Sequence, residues 1–413
     1  MRPVTDLTGP APPKRPVSPF LAVPLAVLLV AVGMGVAWAV TRDGGATTAS
    51  TPTTAPVTTA TTSGDAGSDD LQSVVDELSA FVEDQRGLTF DEPVDVELAD
   101  DDEFEQRLLD DFEDEDEAEL RNTERIFRAL GFLDDEDDLV DQLKGVLSSG
   151  VVGLYDPEAD ELVVRGTEPT PYARTTIVHE LTHALDDQNF ELYRPELDEA
   201  DDETGFAFSA LMEGSAVTVE DAYKETLTDE ERQQADDEEA AIGSGTDLSQ
   251  FPEVLLALIG APYEFGPPLV DALIADGGDG AVDDAFAAPP VSSEQVIDPD
   301  RYLEGEAPLE VAEPPADGAS FDQGTFGEYL LLLLLTDGGV DEQEAARAAV
   351  GWGGDQYVAW RDGEETCLRV SFEGDTDADT DEIAAALDAW AEGHDGAEVA
   401  ANSDGLPTLT ACG

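Results

Sequence analysis

The chain has 413 residues, 41% of them hydrophobic, enough to bury a large core, so it is not a disordered protein throughout. Asp and Glu number 96 against 19 Lys and Arg, a formal net charge of -77. That field repels phosphates, which excludes nucleic acid and anionic lipid surfaces as partners. Only Lys14, Lys144 and Lys224 are lysines. Such a surface suits high salt, where counterions screen self-repulsion, and the chain reads as adapted to a saline environment.

Residues 20–41 begin FLAVPLAVLLVAVGMGVAWAV and carry no charge, long enough to cross a bilayer as one helix. Arg2, Lys14 and Arg15 precede this run and only Arg42 follows closely, so the positive-inside bias leaves residues 1–19 in the cytoplasm. The alternative is a cleaved signal peptide, because Ala37-Trp38-Ala39 has the small-x-small form of a cleavage site. Either way the bulk of the chain is exported, and the uncleaved anchor is the preferred expectation. Residues 42–69 collapse to Thr, Ser, Ala, Pro and Gly, the composition of a stalk.

The folded region is expected over 70–413. Leu71, Val74, Val75, Leu78, Phe81 and Val82 recur at helical spacing, and Val94, Val96 and Leu98 then alternate as in a strand. A helix is expected from about Glu119 to Leu130, stopped by Gly131. The stretch VVGLYDPEADELVVRG, 151–166, reads as a hairpin turning at Asp156-Pro157. Thr170 before Pro171 is an N-cap with proline at the first helical position, so a helix should run from there to about Gln188. Further helices are expected near 204–224, 252–260, 266–275, 326–336 and 380–392. Residues 355–372 read as two strands turning at Asp362-Gly363, within a possible C-terminal β/α subdomain over 340–413. The class is α+β and helix-rich. Cys367 and Cys412, the only cysteines of an exported chain, are expected to form a disulfide, stabilising by up to about 4 kcal/mol.

The chemistry lies in HELTHALDDQ, 179–188. His179 and His183 are one helical turn apart and can bind one zinc ion from the same helix face. Glu180 lies about 100° round the helix, poorly placed as an equivalent ligand but able to act as general base on a zinc-activated water. A third ligand is needed. The longer HExxHxxGxxH pattern fails, because Asp186 and Asn189 stand where glycine and histidine are required. His394 lies far downstream in an acidic stretch and reads as a surface residue. Glu213, within FAFSALMEGSAVTVE, is an ionisable group amid apolar and small residues and needs a cation; Asp187, on the histidine face, is the runner-up. DTDADTDE at 375–382 does not fit a calcium loop, since Thr380 and Ala386 occupy its glycine and glutamate positions.

HELTHALDDQ followed by ALMEGSA resembles the gluzincin branch of zincin metallopeptidases, in which a second helix supplies a glutamate ligand. The chain is also similar to a group of poorly characterised exported bacterial proteins with HELTHAL-type helices, as in GVVGLYDPEADELVV, PPVSSEQVIDPDRY and GWGGDQYVAW. The resemblance implies a zincin-like metallopeptidase domain, zinc held by His179, His183 and Glu213, Glu180 as general base, and an extended peptide lying along the 151–166 hairpin. The thermolysin-like pattern places an aspartate four residues after the ligand glutamate, where this chain has Val217. It also has no second histidine near the site to stabilise the oxyanion, leaving Tyr302, Tyr263 or Arg301 for that task. The expected function is a membrane-anchored extracytoplasmic zinc metallopeptidase acting on peptides or proteins. The alternative is a surface-anchored binding or assembly protein with a structural zinc.

Overall fold

A computed structural model describes residues 28–30, 66–110, 114–157, 159–194, 197, 202–243 and 248–413. The fold is helix-rich α+β with two sheets. The first sheet holds β1 (Leu28–Val30), β2 (Val96–Ala99), β3 (Gly153–Asp156) and β4 (Glu161–Arg165) in the order β1-β3-β4-β2. The 151–166 hairpin forms as expected, with β3 antiparallel to β4, whereas β2 joins β4 in parallel. The short β1 pairs antiparallel with β3. Two expectations are overturned where they can be seen: Leu28–Val30, inside the expected membrane helix over 20–41, form β1, and residues 66–69 of the expected stalk are helical, while the rest of the span, 1–19 and 42–65 lie outside the described residues. Among the described residues no helix is long and apolar enough to cross a membrane.

α1 (Ala66–Arg86) precedes β2, and α2 (Asp101–Asp110), α3 (Asp114–Ala129) and α4 (Leu139–Gly150) follow between β2 and β3 in the chain. α3 starts earlier than the sequence suggested, but Gly131, with φ of 83°, ends it as expected. The hairpin leads into α5 (Pro171–Phe190), whose N-cap Thr170 accepts a hydrogen bond from the Ala173 N–H. Residues from Thr175 to Asp186 of α5 are all buried, so it is a central core helix rather than an amphipathic surface one. Around it stand α6 (Asp202–Thr226), α7 (Asp229–Gly243) and α8 (Glu253–Gly277).

The two helices expected at 252–260 and 266–275 are one continuous α8 with Pro262, Pro267 and Pro268 inside it. Proline normally breaks a helix by removing a donor and crowding the preceding turn. Here tertiary packing prevails, because Pro262, Gly266, Leu269, Val270 and Leu273 are buried, several of them in the core built by α5 and α6.

The chain continues through α9 (Asp279–Ala287), α10 (Ser293–Ile297) and α11 (Pro299–Glu304) into a second sheet. It comprises β5 (Ala319–Gly324), β6 (Trp352–Asp362), β7 (Glu365–Gly374), β8 (Glu398–Ala401) and β9 (Pro407–Cys412), ordered β5-β6-β7-β9-β8 with every pair antiparallel. α12 (Gly327–Asp337), α13 (Glu342–Val350) and α14 (Asp377–Ala391) accompany it. Cys367 and Cys412 are direct cross-strand partners joined by the disulfide. The acidic stretch 375–382 is the capped start of α14, where Thr376 and Asp379 form a capping box.

Candidate metal centre

α5 and α6 build the site together. Gly214 of α6 meets Gly266 of α8 so closely that a Cβ on Gly214 would lie 2.3 Å from the Gly266 carbonyl oxygen. Only two hydrogens in place of side chains permit this approach, and it fixes the turn of α6 that carries Glu213. From the facing turn of α5, His179 and His183 project with ring centroids 4.8 Å apart.

Glu213 Oε2 lies 3.1 Å from His179 Nε2 and 3.6 Å from His183 Nε2. One donor atom from each of these three buried residues falls within 4.8 Å of the others, the one such group among the described residues. The residues fit a divalent ion. Both ring nitrogens of His183 are buried with no hydrogen-bond partner, and two imidazoles with one carboxylate are the donor set of hydrolytic zinc sites.

Glu180 is fully buried, and neither of its carboxylate oxygens has a hydrogen-bond partner. Its carboxylate lies against the backbone of β3, where a Cβ on Gly153 would sit 2.2 Å from Glu180 Oε1. Burial, opposed by the nearby His179, raises the Glu180 pKa well above the usual carboxylate range. Burial alone would lower His179, but hydrogen bonds to Glu213 and Glu220 prevail and hold it near 10. His183, with burial dominating, is shifted down. Burial would raise Glu213, but the two imidazoles facing it outweigh that and hold it at about 2. The cluster is thus an anionic ligand, two imidazoles and a desolvated carboxyl, all excluded from water.

Asp187, the runner-up ligand, does not join this group. Its Oδ2 accepts a 2.8 Å hydrogen bond from Tyr155 Oη on β3, and its Oδ1 accepts from the Leu192 N–H. It ties the hairpin to the end of α5. Tyr302 donates to the Ala288 carbonyl, and Arg301 is engaged by Glu294, Glu306 and Asp375 at 2.7–3.0 Å, so neither faces the cluster. Tyr263 does come close, its ring stacking with His179 at 6.3 Å between centroids. His394 stacks on Trp390 at 3.9 Å, away from the site.

Three parts of the site escaped the sequence reading. Glu220 accepts a 2.8 Å hydrogen bond from His179 Nδ1; its signal was its place seven residues, about two helical turns, after Glu213. Gly153 interrupts an apolar strand, a common mark of close backbone approach. Asp186 is buried and takes hydrogen bonds from Ser215 Oγ and Arg86 Nε, joining α5 to α6 and α1.

Residues 315–410 match a family described only as a domain of unknown function, DUF8575. No curated protein and no solved structure matches the chain. The matched stretch covers the second sheet and its helices and excludes His179, His183 and Glu213.

Proposed function

We propose that the chain is an exported zinc metallopeptidase of the gluzincin kind. The observation that carries the reading is the convergence of His179, His183 and Glu213 beside Glu180, a buried carboxyl with no hydrogen-bond partner. A purely structural site has no need of such a group, whereas a hydrolase needs a base there.

His179, His183 and Glu213 would hold the metal. When bound, zinc supplies Lewis acidity, polarising a carbonyl and lowering the pKa of water. Glu180 takes the proton of the attacking water as the oxygen bonds to the scissile carbonyl carbon. It then delivers that proton to the departing amine nitrogen as the C–N bond breaks. Gly153 gives Glu180 room beside β3, and water exclusion strengthens its interaction with developing charge. Tyr263 is the aromatic residue placed nearest to assist the carbonyl oxygen. The substrate is a peptide or protein, and the net charge of -77 disfavours nucleic acid; both strands of the 151–166 hairpin are flanked within the first sheet, so neither offers the substrate the free edge expected from the sequence.

The test is Glu180→Gln, with metal content and peptide cleavage measured on the same preparation. Zinc should remain near one per chain while hydrolysis falls at least about 10²- to 10⁴-fold. Equal cleavage by wild type and the zinc-loaded variant would remove Glu180 from the mechanism, and a zinc-loaded wild type that cleaves no member of a peptide library would favour the binding-protein alternative.

A further inference from the structure

We infer that Glu220 and Lys224 form a positioning pair that fixes the ring of His179 and sets the chain's affinity for zinc. The inference rests on the metal-centre reading above and adds to it two residues outside the ligand set.

An imidazole can offer one nitrogen to a metal only if the other carries the proton, and the partner of that second nitrogen decides both tautomer and ring orientation. For His179 the partner is Glu220, whose Oε2 lies 2.8 Å from Nδ1, while Nε2 faces Glu213 at 3.1 Å. Both glutamates come from α6. Their spacing of seven residues puts them on one side of the helix, about 10 Å apart along its axis. A single rigid element therefore brackets the His179 ring between a metal-side carboxylate and a proton-accepting one. His183 Nδ1 has no equivalent partner, so the orientation of its ring depends on packing.

A second carboxylate, only 3% exposed and a short way from Glu213, is costly unless its charge is balanced. Lys224 supplies that balance from the next turn, its Nζ 2.8 Å from Glu220 Oε1. Lys224 is 40% exposed, so the ammonium stays in contact with water while its partner is buried. With three lysines in a chain of net charge -77, this placement of one against a buried carboxylate is selective.

The experiment is a zinc titration against a competing chelator on the full-length chain, with circular dichroism of each variant to establish folding. Glu220→Gln, which keeps shape but loses the charge, should weaken zinc binding about 10- to 100-fold. Lys224→Met should weaken it by about twofold to fivefold, and Lys224→Arg should restore most of that loss. Wild-type affinity in folded Glu220→Gln overturns the inference. So does Lys224→Arg binding no better than Lys224→Met, since a merely structural lysine would not discriminate by charge. Absence of zinc on the wild-type chain is a separate result, which overturns the metal-centre reading and this inference with it.

Discussion

Replacing Gly266 by alanine tests whether the crossing of α6 and α8 holds the ligand glutamate in place. A Cβ at Gly266 would lie 2.2 Å from the Ala210 carbonyl oxygen and 2.7 Å from the Gly214 nitrogen. Ordinary contact needs about 3.5 Å, so the helices must separate by roughly 1 Å. Alanine is favoured over glycine inside a helix by up to about 1 kcal/mol. Overpacking of this kind costs about 1–3 kcal/mol, so the crossing outweighs propensity and the variant should be less stable. At roughly 2–4 °C per kcal/mol, the melting temperature should fall by a few degrees. Glu213 adjoins Gly214, and metal–ligand distances tolerate only about 0.2 Å, so zinc affinity should fall by about tenfold or more. Gly260, on the same helix, is the control, because nothing lies within 4 Å of a Cβ there. Gly260→Ala should gain up to about 1 kcal/mol and leave zinc binding unchanged. Thermal unfolding and a chelator-competition titration on both variants decide the matter. If Gly266→Ala is as stable as Gly260→Ala and binds zinc as tightly as wild type, the crossing does not position the site.

Glu213→Ala should reduce zinc affinity severely by removing one of three ligands, whereas Asp187→Ala should leave zinc content near wild type and lower the melting temperature by freeing Tyr155 Oη and the Leu192 N–H. The opposite ordering in a zinc assay would return the third ligand to α5. A second prediction concerns pH, since burial holds the folded-state pKa of Glu294 at about 7 and of Glu328 at about 8. Between the unfolded carboxylate pKa and these values the folded state binds the extra protons. Stability attributable to these two groups is therefore full below about pH 4.5 and falls until about pH 8. In a pH series of melting temperatures, Glu328→Gln should show a smaller fall than wild type, and an identical fall would show that the carboxyl is not the cause. With a net charge of -77, melting temperature should also climb steeply as sodium chloride rises toward molar levels. A flat salt profile would remove the saline reading and leave the metal centre untouched.

Much of the candidate site was legible because its signals are local. Thr170 and Pro171 announce α5, the one-turn spacing of His179 and His183 is visible in five letters, and Glu213 stands out as a carboxylate among apolar neighbours. Glu220 did not stand out, because α6 carries several acidic residues toward its end and only the packing against α5 selects one for Nδ1. α8 was misread for a related reason. The local rule for Pro262, Pro267 and Pro268 is correct for an isolated helix, and the burial that overrides it depends on residues far away in sequence. β8 was equally hidden, since Glu398–Ala401 is mostly exposed and becomes a strand only by pairing with β9. The disulfide was legible as a pair but not as a cross-strand bridge, which required the register of β7 on β9.

The position of β9 governs when the second sheet can close. It is the last strand in the sequence yet an interior one in space, inserted between β7 and β8, and it ends at the bridged Cys412. Gly413 adds a reciprocal pair of backbone hydrogen bonds to Thr366. Until that strand arrives, β7 and β8 have no common neighbour and Cys367 has no partner. The sheet and its bridge are therefore complete only once Pro407–Cys412 has paired with both neighbours. Loss of Pro407–Cys412 would remove the strand, the bridge and the link to β8 together.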